Sequence, residues 1–375
     1  MEGGLICKVC RNQSPVPTNA QAIRCHGCQR IIPTGIKQEI DPIGTNQLSG
    51  HEQSNVTING KGLDLPCMLK LKNKHPNTAS SSSEPHPSLD FSQPPPRGKR
   101  ALLCGVTYKN QKFELKGTIH DVTKIRDLLL ERFKFSENSI CILTEETTQH
   151  PTKKNILEAL KWLVRDNQAG DSLVFYFSGH GLRQPDFKDD ELDGFDETIC
   201  PVDFLKEGMI LDNEINELII RPLKPDAKLH AIIDACHSGT VLDLPFVYNK
   251  ERKGWDDNSP PSGVFKGTSG GLAISFSACL DDQLAADTDA FSEKRLAASG
   301  RKMAGAMTYT FVQAVKQNPT ITYGELINSM YKNIEEAHRK CLHSHFLSRL
   351  FHRNILQEPQ LSSSAKFDVN TEFTM

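Results

Sequence analysis

From Arg100 onward, short apolar runs alternate with stretches in which apolar residues recur at helical spacing. The apolar runs are typical of buried strands and cover residues 101–106, 140–143, 173–177, 229–233 and 272–276. The helical spacing predicts helices within residues 122–133, 156–163, 306–317 and 323–339. Strands that alternate with helices in this way favour an α/β fold, with a mostly parallel β-sheet flanked by helices.

Two regions precede this patterned part of the chain. Residues 1–35 contain four cysteines, and residues 36–98 contain a serine tract and the run Pro94, Pro95 and Pro96. A segment with so little apolar periodicity buries too little surface to offset the entropy cost of ordering, so 36–98 is predicted to be a flexible linker. The sequence therefore divides into a small cysteine module, a linker and a globular domain of residues 99–362.

Charge and hydropathy exclude several classes of protein. No apolar run approaches the ~20 residues that span a bilayer, and no apolar segment follows the N-terminus as in a secretory signal. The net charge of −2 gives no reason to expect nucleic acid or an anionic membrane as partner. We therefore expect a protein of the cytoplasm or nucleus, where 11 cysteines serve as metal ligands, buried groups or catalytic thiols.

Two predicted strands end in unusual polar residues. His180 follows the strand at 173–177 and lies between two glycines, and Cys236 follows the strand at 229–233, two residues beyond Asp234. In a parallel sheet both ends meet at one edge, where ligand sites lie. An imidazole there can take the proton of the thiol and later protonate a leaving amine, which predicts a cysteine peptidase with Cys236 as nucleophile and His180 as base.

Some alternatives stay open at this point. Glycine lets a substrate backbone approach closely, so we expect the amides of Gly181 and Cys236 to hold an oxyanion. His237 is a rival base, although sequence neighbours at a strand end rarely face each other. The plain alternative makes Cys236 a buried core thiol and His180 a satisfied polar group.

The N-terminal cysteines have the spacing that is typical of zinc ligands. Cys7 and Cys10 form one C-x-x-C pair, and Cys25 and Cys28 form a second. Two such pairs can surround Zn²⁺ tetrahedrally, so a structural zinc site is predicted, with four unrelated thiols as the alternative. A closed site of this kind has no open position for catalysis, so its expected role is to bind a protein partner or restrain the enzyme.

The segments Tyr176–Gly181 (YFSGHG) and Asp234–Gly239 (DACHSG) resemble the histidine and cysteine boxes of the metacaspases, in the caspase–hemoglobinase clan. Further segments that resemble the family in the same order are 105–108, 115–122, 193–198, 200–203 and 277–283. The short spacer before residue 277 and the N-terminal zinc finger are similar to plant type I metacaspases. The resemblance implies a caspase-like sheet with a large subdomain, 99–244, and a small one, 271–362, in a single chain.

The resemblance also implies how substrate is bound. Asp121, Ser178 and Asp234 match the positions of an acidic pocket that receives Arg or Lys before the scissile bond. A caspase-like enzyme that cuts after Asp is the competing hypothesis, which like charge in the pocket disfavours. A second competitor is a catalytically silent scaffold that acts through its zinc finger.

Calcium dependence is implied in the same way. Acidic residues crowd residues 186–203, which by itself indicates either a solvated loop or a site for a hard cation. The family's ligand positions match Asp196, Asp212, Asn213 and Asp243, and because Asn213 replaces a second carboxylate, we expect weaker calcium binding. We also expect a monomer, a role in regulated cell death or stress, and self-cleavage in an exposed basic loop at 245–270.

Overall fold

The computed structural model describes residues 91, 93–186, 188, 191, 194–235, 238–260, 262–277, 287–288, 304–342 and 358–375, together with four short strands nearer the N-terminus. The chain forms two compact units, Met1–Pro85 and His86–Met375. Within the described residues, no helix combines the length and the apolar character that crossing a bilayer requires.

The N-terminal unit contains two short antiparallel strand pairs. Strand β1 (Leu5–Ile6) pairs with β2 (Gln13–Ser14), and β3 (Ala22–Arg24) pairs with β4 (Ile31–Pro33). The predicted zinc ligands Cys7, Cys10, Cys25 and Cys28 lie outside the described residues.

The second unit alternates strands and helices as the sequence predicts. Its strands are β5 (Lys99–Gly105), β6 (Ile140–Leu143), β7 (Ser172–Ser178), β8 (Gly181–Pro185), β9 (Phe195–Ile199), β10 (Ile210–Leu211), β11 (Lys228–Asp234), β12 (Phe246–Asn249), β13 (Gly254–Asp257), β14 (Leu272–Ser277), β15 (Asp287–Thr288), β16 (Ala304–Gly305) and β17 (Gln360–Ser363). Its helices are α1 (Thr118–Glu131), α2 (Lys153–Val164), α3 (Phe204–Glu207), α4 (Asp212–Ile215), α5 (Ala306–Gln317) and α6 (Tyr323–Leu342), with a π-helical turn at Asn216–Ile220.

The main sheet has eight strands in the order β13-β12-β17-β14-β11-β7-β5-β6. The strands β14, β11, β7, β5 and β6 run parallel to one another, and β17, β12 and β13 are added antiparallel at the β14 side. The predicted fold class, a mostly parallel sheet flanked by helices, is therefore confirmed.

The parallel strands are buried on both faces, which explains their unbroken apolar sequences. In β5, Leu102 and Cys104 face a core shared with α2 and the π-helical turn. The alternate residues Ala101 and Leu103 face the opposite core, which contains side chains of α1, α5 and α6. Helix α2 begins after Thr152, whose hydroxyl accepts a hydrogen bond from the backbone N–H of Asn155 at 3.2 Å.

The structure corrects two expected boundaries. The domain extends on both sides of 99–362, because Phe91 packs against Trp162 and the side chains of Phe373 and Met375 are buried in the core. The predicted loop at 245–270 is in part a hairpin, since β12 and β13 pair across residues 250–253 and extend the sheet. The strands of this hairpin are short and only partly buried, so they give no clear periodic signal in the sequence.

Phe373 allows a test of the C-terminal extension. Its ring packs edge-on against Phe133, His230, Phe276, Phe311 and Tyr323. We expect Phe373→Ala to lower the free energy of unfolding by about 3–5 kcal/mol, because it opens a cavity in this cluster. Urea unfolding followed by fluorescence measures the change. The matched control is Phe265→Ala, at a side chain that is 65% exposed, with an expected change within about 0.5 kcal/mol. Equal effects of the two substitutions would contradict the placement of Phe373.

Candidate active site

The two unusual strand ends lie side by side. Strands β7 and β11 pair in parallel, and their last residues, Ser178 and Asp234, are direct partners in the register. The backbone N–H of Gly179 donates to the carbonyl of Asp234 at 3.2 Å, which continues the contact beyond the strands. Cys236 and His237 lie outside the described residues, but β11 ends only two residues before Cys236.

His180 is held by a ring of aromatic and backbone groups. Its backbone N–H donates to the hydroxyl of Tyr108 at 2.9 Å, and that hydroxyl donates to the carbonyl of Cys200 at 2.6 Å. The imidazole packs against the rings of Tyr108 and Phe113, with centroids 4.7 Å and 5.8 Å away. These contacts fix both the position and the plane of the imidazole.

One hydrogen bond sets the chemistry of this imidazole. Nε2 of His180 lies 2.7 Å from the carbonyl oxygen of Phe113. Because a carbonyl only accepts, Nε2 carries the hydrogen, and in the neutral ring Nδ1 keeps its lone pair. Sequence reasoning missed the part of Phe113, since a backbone acceptor has no residue-type signature. It also assigned no role to Tyr108, although the segment 105–108 was among those that resemble the family.

Asp121 and Asp234 are both brought to the start of helix α5. Oδ2 of Asp234 accepts from the backbone N–H of Thr308 at 2.9 Å and from its hydroxyl at 2.6 Å. Oδ2 of Asp121 accepts from the backbone N–H of Gly305 at 2.8 Å. The N-terminal end of a helix stabilises negative charge, so these donors reduce the repulsion expected between two buried carboxylates.

Further contacts show how tightly these carboxylates are packed. A Cβ at residue 305 would overlap the carboxylate of Asp234, so only glycine fits there. The hydroxyl of Tyr176 lies 2.8 Å from that of Thr308. Burial raises the pKa of Tyr176 well above its ordinary value, and the charges of Asp121 and Asp234 raise it further. The negative charges of Asp121 and Asp234 therefore both lie close enough to Tyr176 to affect its hydroxyl.

The other two predicted residues of the site lie at the same sheet edge. Ser178 is buried at the end of β7, and its carbonyl accepts from the N–H of Val106 at 2.9 Å. Gly181 begins β8, opposite Ile199 of β9. The oxyanion role of Gly181 and the pocket role of Ser178 stay predictions.

The four predicted calcium ligands are buried around a second polar cluster. Asp196 belongs to β9, Asp212 and Asn213 begin α4, and Asp243 follows β11. Asp212 accepts backbone hydrogen bonds from Glu197 at 2.7 Å and Asn213 at 2.6 Å. Asp243 adopts a positive φ of 55°, which is uncommon for a residue with a side chain.

Two lysines contact this cluster, of which Lys266 is buried and Lys188 is exposed. Nζ of Lys266 lies 2.5 Å from a carboxylate oxygen of Glu191 and 2.5 Å from one of Asp243. Nζ of Lys188 donates to the amide oxygen of Asn213 at 2.9 Å. A buried lysine is rare unless it is paired, and sequence reasoning placed Lys266 in an exposed loop.

Negative charge is in excess in the cluster. The buried carboxylates are Glu191, Asp196, Glu197, Asp212 and Asp243. Burial raises the pKa of Asp212 well above its ordinary value, and the neighbours Asp243, Glu197 and Asp196 add to this. Burial alone would lower the pKa of Lys266, but Asp243 and Glu191 outweigh it and raise that pKa above its usual value.

The oxygen atoms of this cluster are of the types that bind a hard cation, but their arrangement suits the ammonium group of a lysine. Carboxylate and amide oxygens are the ligands that Ca²⁺ prefers. Among the described residues, however, no three His, Cys, Asp or Glu side chains are disposed to hold a metal ion. Asp243 and Glu191 are instead oriented toward Lys266.

The described cysteines of the sheet region are unsuited to nucleophilic attack. Cys104, Cys141 and Cys200 are buried reduced thiols. Burial raises the pKa of Cys104 well above its ordinary value and that of Cys141 to about 12. A thiol attacks as the thiolate, so the raised pKa disfavours nucleophilic attack by Cys104 and Cys141.

Comparisons with known proteins agree with this geometry. The metacaspase peptidase C14 domain matches residues 99–245. Metacaspase-1 of Arabidopsis thaliana is 41% identical over 97% of this chain and 94% of its own length. Metacaspase-3 of the same plant is 47% identical over 74% of this chain and 75% of its own. Metacaspase-1 of Meyerozyma guilliermondii is 35% identical over 74% of this chain and 72% of its own length.

The likeness to the first of these relatives extends over nearly the whole of both chains. It includes the strands β7 and β11 that bring His180 and Asp234 to one edge of the sheet. The chain therefore belongs to the metacaspase family and is a cysteine-type endopeptidase.

Proposed function

We propose that this endopeptidase cleaves after Arg or Lys, with Cys236 as nucleophile, His180 as base and Asp121 and Asp234 as the pocket for the basic side chain. The observation that carries the proposal is the pair of buried carboxylates at the start of α5, one of them two residues before Cys236. A substrate guanidinium or ammonium group pairs favourably with them. An Asp side chain would meet like charge, which disfavours a caspase-like specificity.

In this mechanism His180 exchanges protons through Nδ1. Phe113 holds the hydrogen on Nε2, so the lone pair of Nδ1 takes the thiol proton of Cys236. The thiolate attacks the scissile carbonyl, and the backbone amides of Gly181 and Cys236 stabilise the oxyanion. His180 then gives its proton to the leaving amine, and a water molecule hydrolyses the acyl-enzyme to restore the thiol.

We further propose that calcium activates the enzyme through Asp196, Asp212, Asn213 and Asp243. The support is electrostatic, because burial and neighbouring carboxylates raise the pKa of Asp212 and a divalent cation would relieve that repulsion. Asp196 also belongs to β9, which pairs with β8, and β8 begins directly after His180. Calcium bound at this cluster would thus stabilise strand β8, which directly follows His180.

For the N-terminal unit we propose one zinc ion bound by Cys7, Cys10, Cys25 and Cys28. Each C-x-x-C pair lies in the segment that joins two paired strands, β1 to β2 and β3 to β4. This is the chain order of a zinc knuckle. The module would recruit a protein partner in the cytoplasm or nucleus and contribute to regulated cell death or stress responses.

Self-cleavage is proposed at the turn between β12 and β13. Lys250, Arg252 and Lys253 are exposed there, whereas Lys266 of the same stretch is buried. An exposed turn is accessible to a second enzyme molecule. Because β12 and β13 extend the sheet beyond β17, we also propose that the enzyme acts as a monomer.

The specificity is tested with matched fluorogenic peptides that end in Arg, Lys or Asp. We expect calcium-dependent release after Arg and Lys, and none from Cys236→Ala or after Asp. Asp121→Asn should lower kcat/KM for the Arg peptide roughly 30- to 1,000-fold, because about 2–4 kcal/mol of charge pairing is lost. The matched control is Asp127→Asn on the outer side of the same helix, which should leave kcat/KM unchanged. Cleavage after Asp would refute the pocket.

Calcium activation is tested at two ligands separately. Asp196→Ala and Asp243→Ala should each abolish the stimulation of peptide hydrolysis by calcium, because each removes a carboxylate from the cluster. Asp257→Ala, at an exposed position of β13, is the control and should respond to calcium as the wild type does. Undiminished stimulation in both ligand variants would overturn the assignment.

A further inference from the structure

Lys266 is an internal cation of the acidic cluster. Its side chain is 4% exposed, and its ammonium group contacts Glu191 and Asp243 at 2.5 Å each. Taking an ammonium group out of water is unfavourable unless anions compensate for it, so its burial depends on these two carboxylates. Lys266 thus supplies a positive charge to carboxylates that would otherwise attract a cation from solution.

Polar contacts hold the segment that carries Lys266. At its far end the hydroxyl of Ser269 donates to the carbonyl of Arg221 at 2.6 Å, and the N–H of Gly271 donates to the carbonyl of Leu223 at 3.1 Å. The side-chain amide of Asn216 donates to the carbonyls of Lys266 at 3.2 Å and of Asp243 at 3.0 Å. Arg221 donates to the carbonyl of Phe265 at 3.1 Å. The side chains of Val264 and Phe265 are 43% and 65% exposed, so little apolar burial stabilises this segment.

A cavity gives access to the cluster from this side. It has a volume of about 170 Å³, and its lining includes Lys188, Asn213, Asp243 and Lys266. Nζ of Lys188 lies 2.9 Å from Oδ1 of Asn213. Lysine ammonium groups therefore occupy the oxygens of two of the four proposed calcium ligands, and their combined charge equals that of one divalent cation.

We propose that Lys266 competes with calcium for the acidic cluster, so that calcium binding expels its side chain and releases the segment 262–271. This inference rests on the proposed calcium activation and adds a regulatory step to it. Because the ammonium group is tethered, it acts at a constant high effective concentration and sets the calcium level at which the enzyme responds. Calcium binding and docking of the segment are linked reciprocally. If calcium weakens docking of the segment by some factor, a contact that holds the segment docked weakens calcium binding by that same factor.

The first test measures calcium binding without any activity readout. Variants are made in the inactive Cys236→Ala protein, and calorimetry measures Kd for calcium alone. Lys266→Met should bind calcium on the order of 10- to 100-fold more tightly than its parent, the range of ordinary coupling between sites. Lys266→Arg keeps the cation and should stay near the parent value. Lys253→Met, at an exposed lysine, is the matched control and should not change Kd.

The second test uses the full-length Cys236→Ala protein without further change and so does not depend on whether the Lys266→Met variant folds. Endoproteinase Lys-C cuts only after an accessible lysine. We expect saturating calcium to speed cleavage after Lys266 by about tenfold or more, while cleavage after Lys253 stays constant.

The outcomes separate the two proposals. Equal calcium affinity in Lys266→Met and its parent, or unchanged cleavage after Lys266 at saturating calcium, would overturn the competition while calcium binding stands. Absence of calcium binding in the parent, in Lys266→Met and in Lys266→Arg would overturn the calcium site and with it the competition. The preference of the active enzyme for Arg over Asp peptides tests the substrate pocket separately from that result. Tighter binding in Lys266→Met together with calcium-dependent exposure of Lys266 supports the inference.

Discussion

The parallel register between β7 and β11 is the constraint on which the site depends. Ser178 is paired with Asp234, and His180 and Cys236 each follow two residues later. Because the two offsets from paired strand ends are equal, we propose that the two groups lie near each other at one edge of the sheet. A slip of one residue would turn Asp234 to the opposite face and separate it from helix α5. The burial of both faces of these strands, in two separate cores, makes such a slip very unfavourable.

Helix α5 connects this edge to the C-terminal half of the domain. Its first turn donates to Asp234 through Thr308, and Gly305 just before it donates to Asp121. The carboxylates are thus stabilised by the start of the helix even without a substrate cation. In the proposed pocket, these hydrogen bonds would hold the carboxylates in place before a basic side chain arrives, so that little rearrangement would be required on binding.

The sequence predicted most of the sheet because its strands are buried on both faces and therefore read as continuous apolar runs. The observed strand Ile140–Leu143 and helix Ala306–Gln317 match the predicted bounds. The hairpin of β12 and β13 was missed because its strands are only partly buried and lack such a run. The contribution of Phe113 could not be predicted, since any residue supplies a carbonyl. Lys266 was missed for the opposite reason, because lysine in a polar segment is normally exposed.

Asn213, Lys188 and Lys266 together limit the excess of negative charge in the acidic cluster. An aspartate at 213 would add a further negative charge to a cluster that already contains five buried carboxylates. Lys266 pairs with Glu191 and Asp243, and Arg183 pairs with Glu197. The neutral amide avoids that charge and accepts a hydrogen bond from Lys188 instead. This lowers the free energy of the cation-free cluster relative to a calcium-bound one, in which a second carboxylate would have been favourable. We therefore propose that Asn213 and the buried ammonium group of Lys266 act in the same direction, and that both raise the calcium concentration that the proposed site requires.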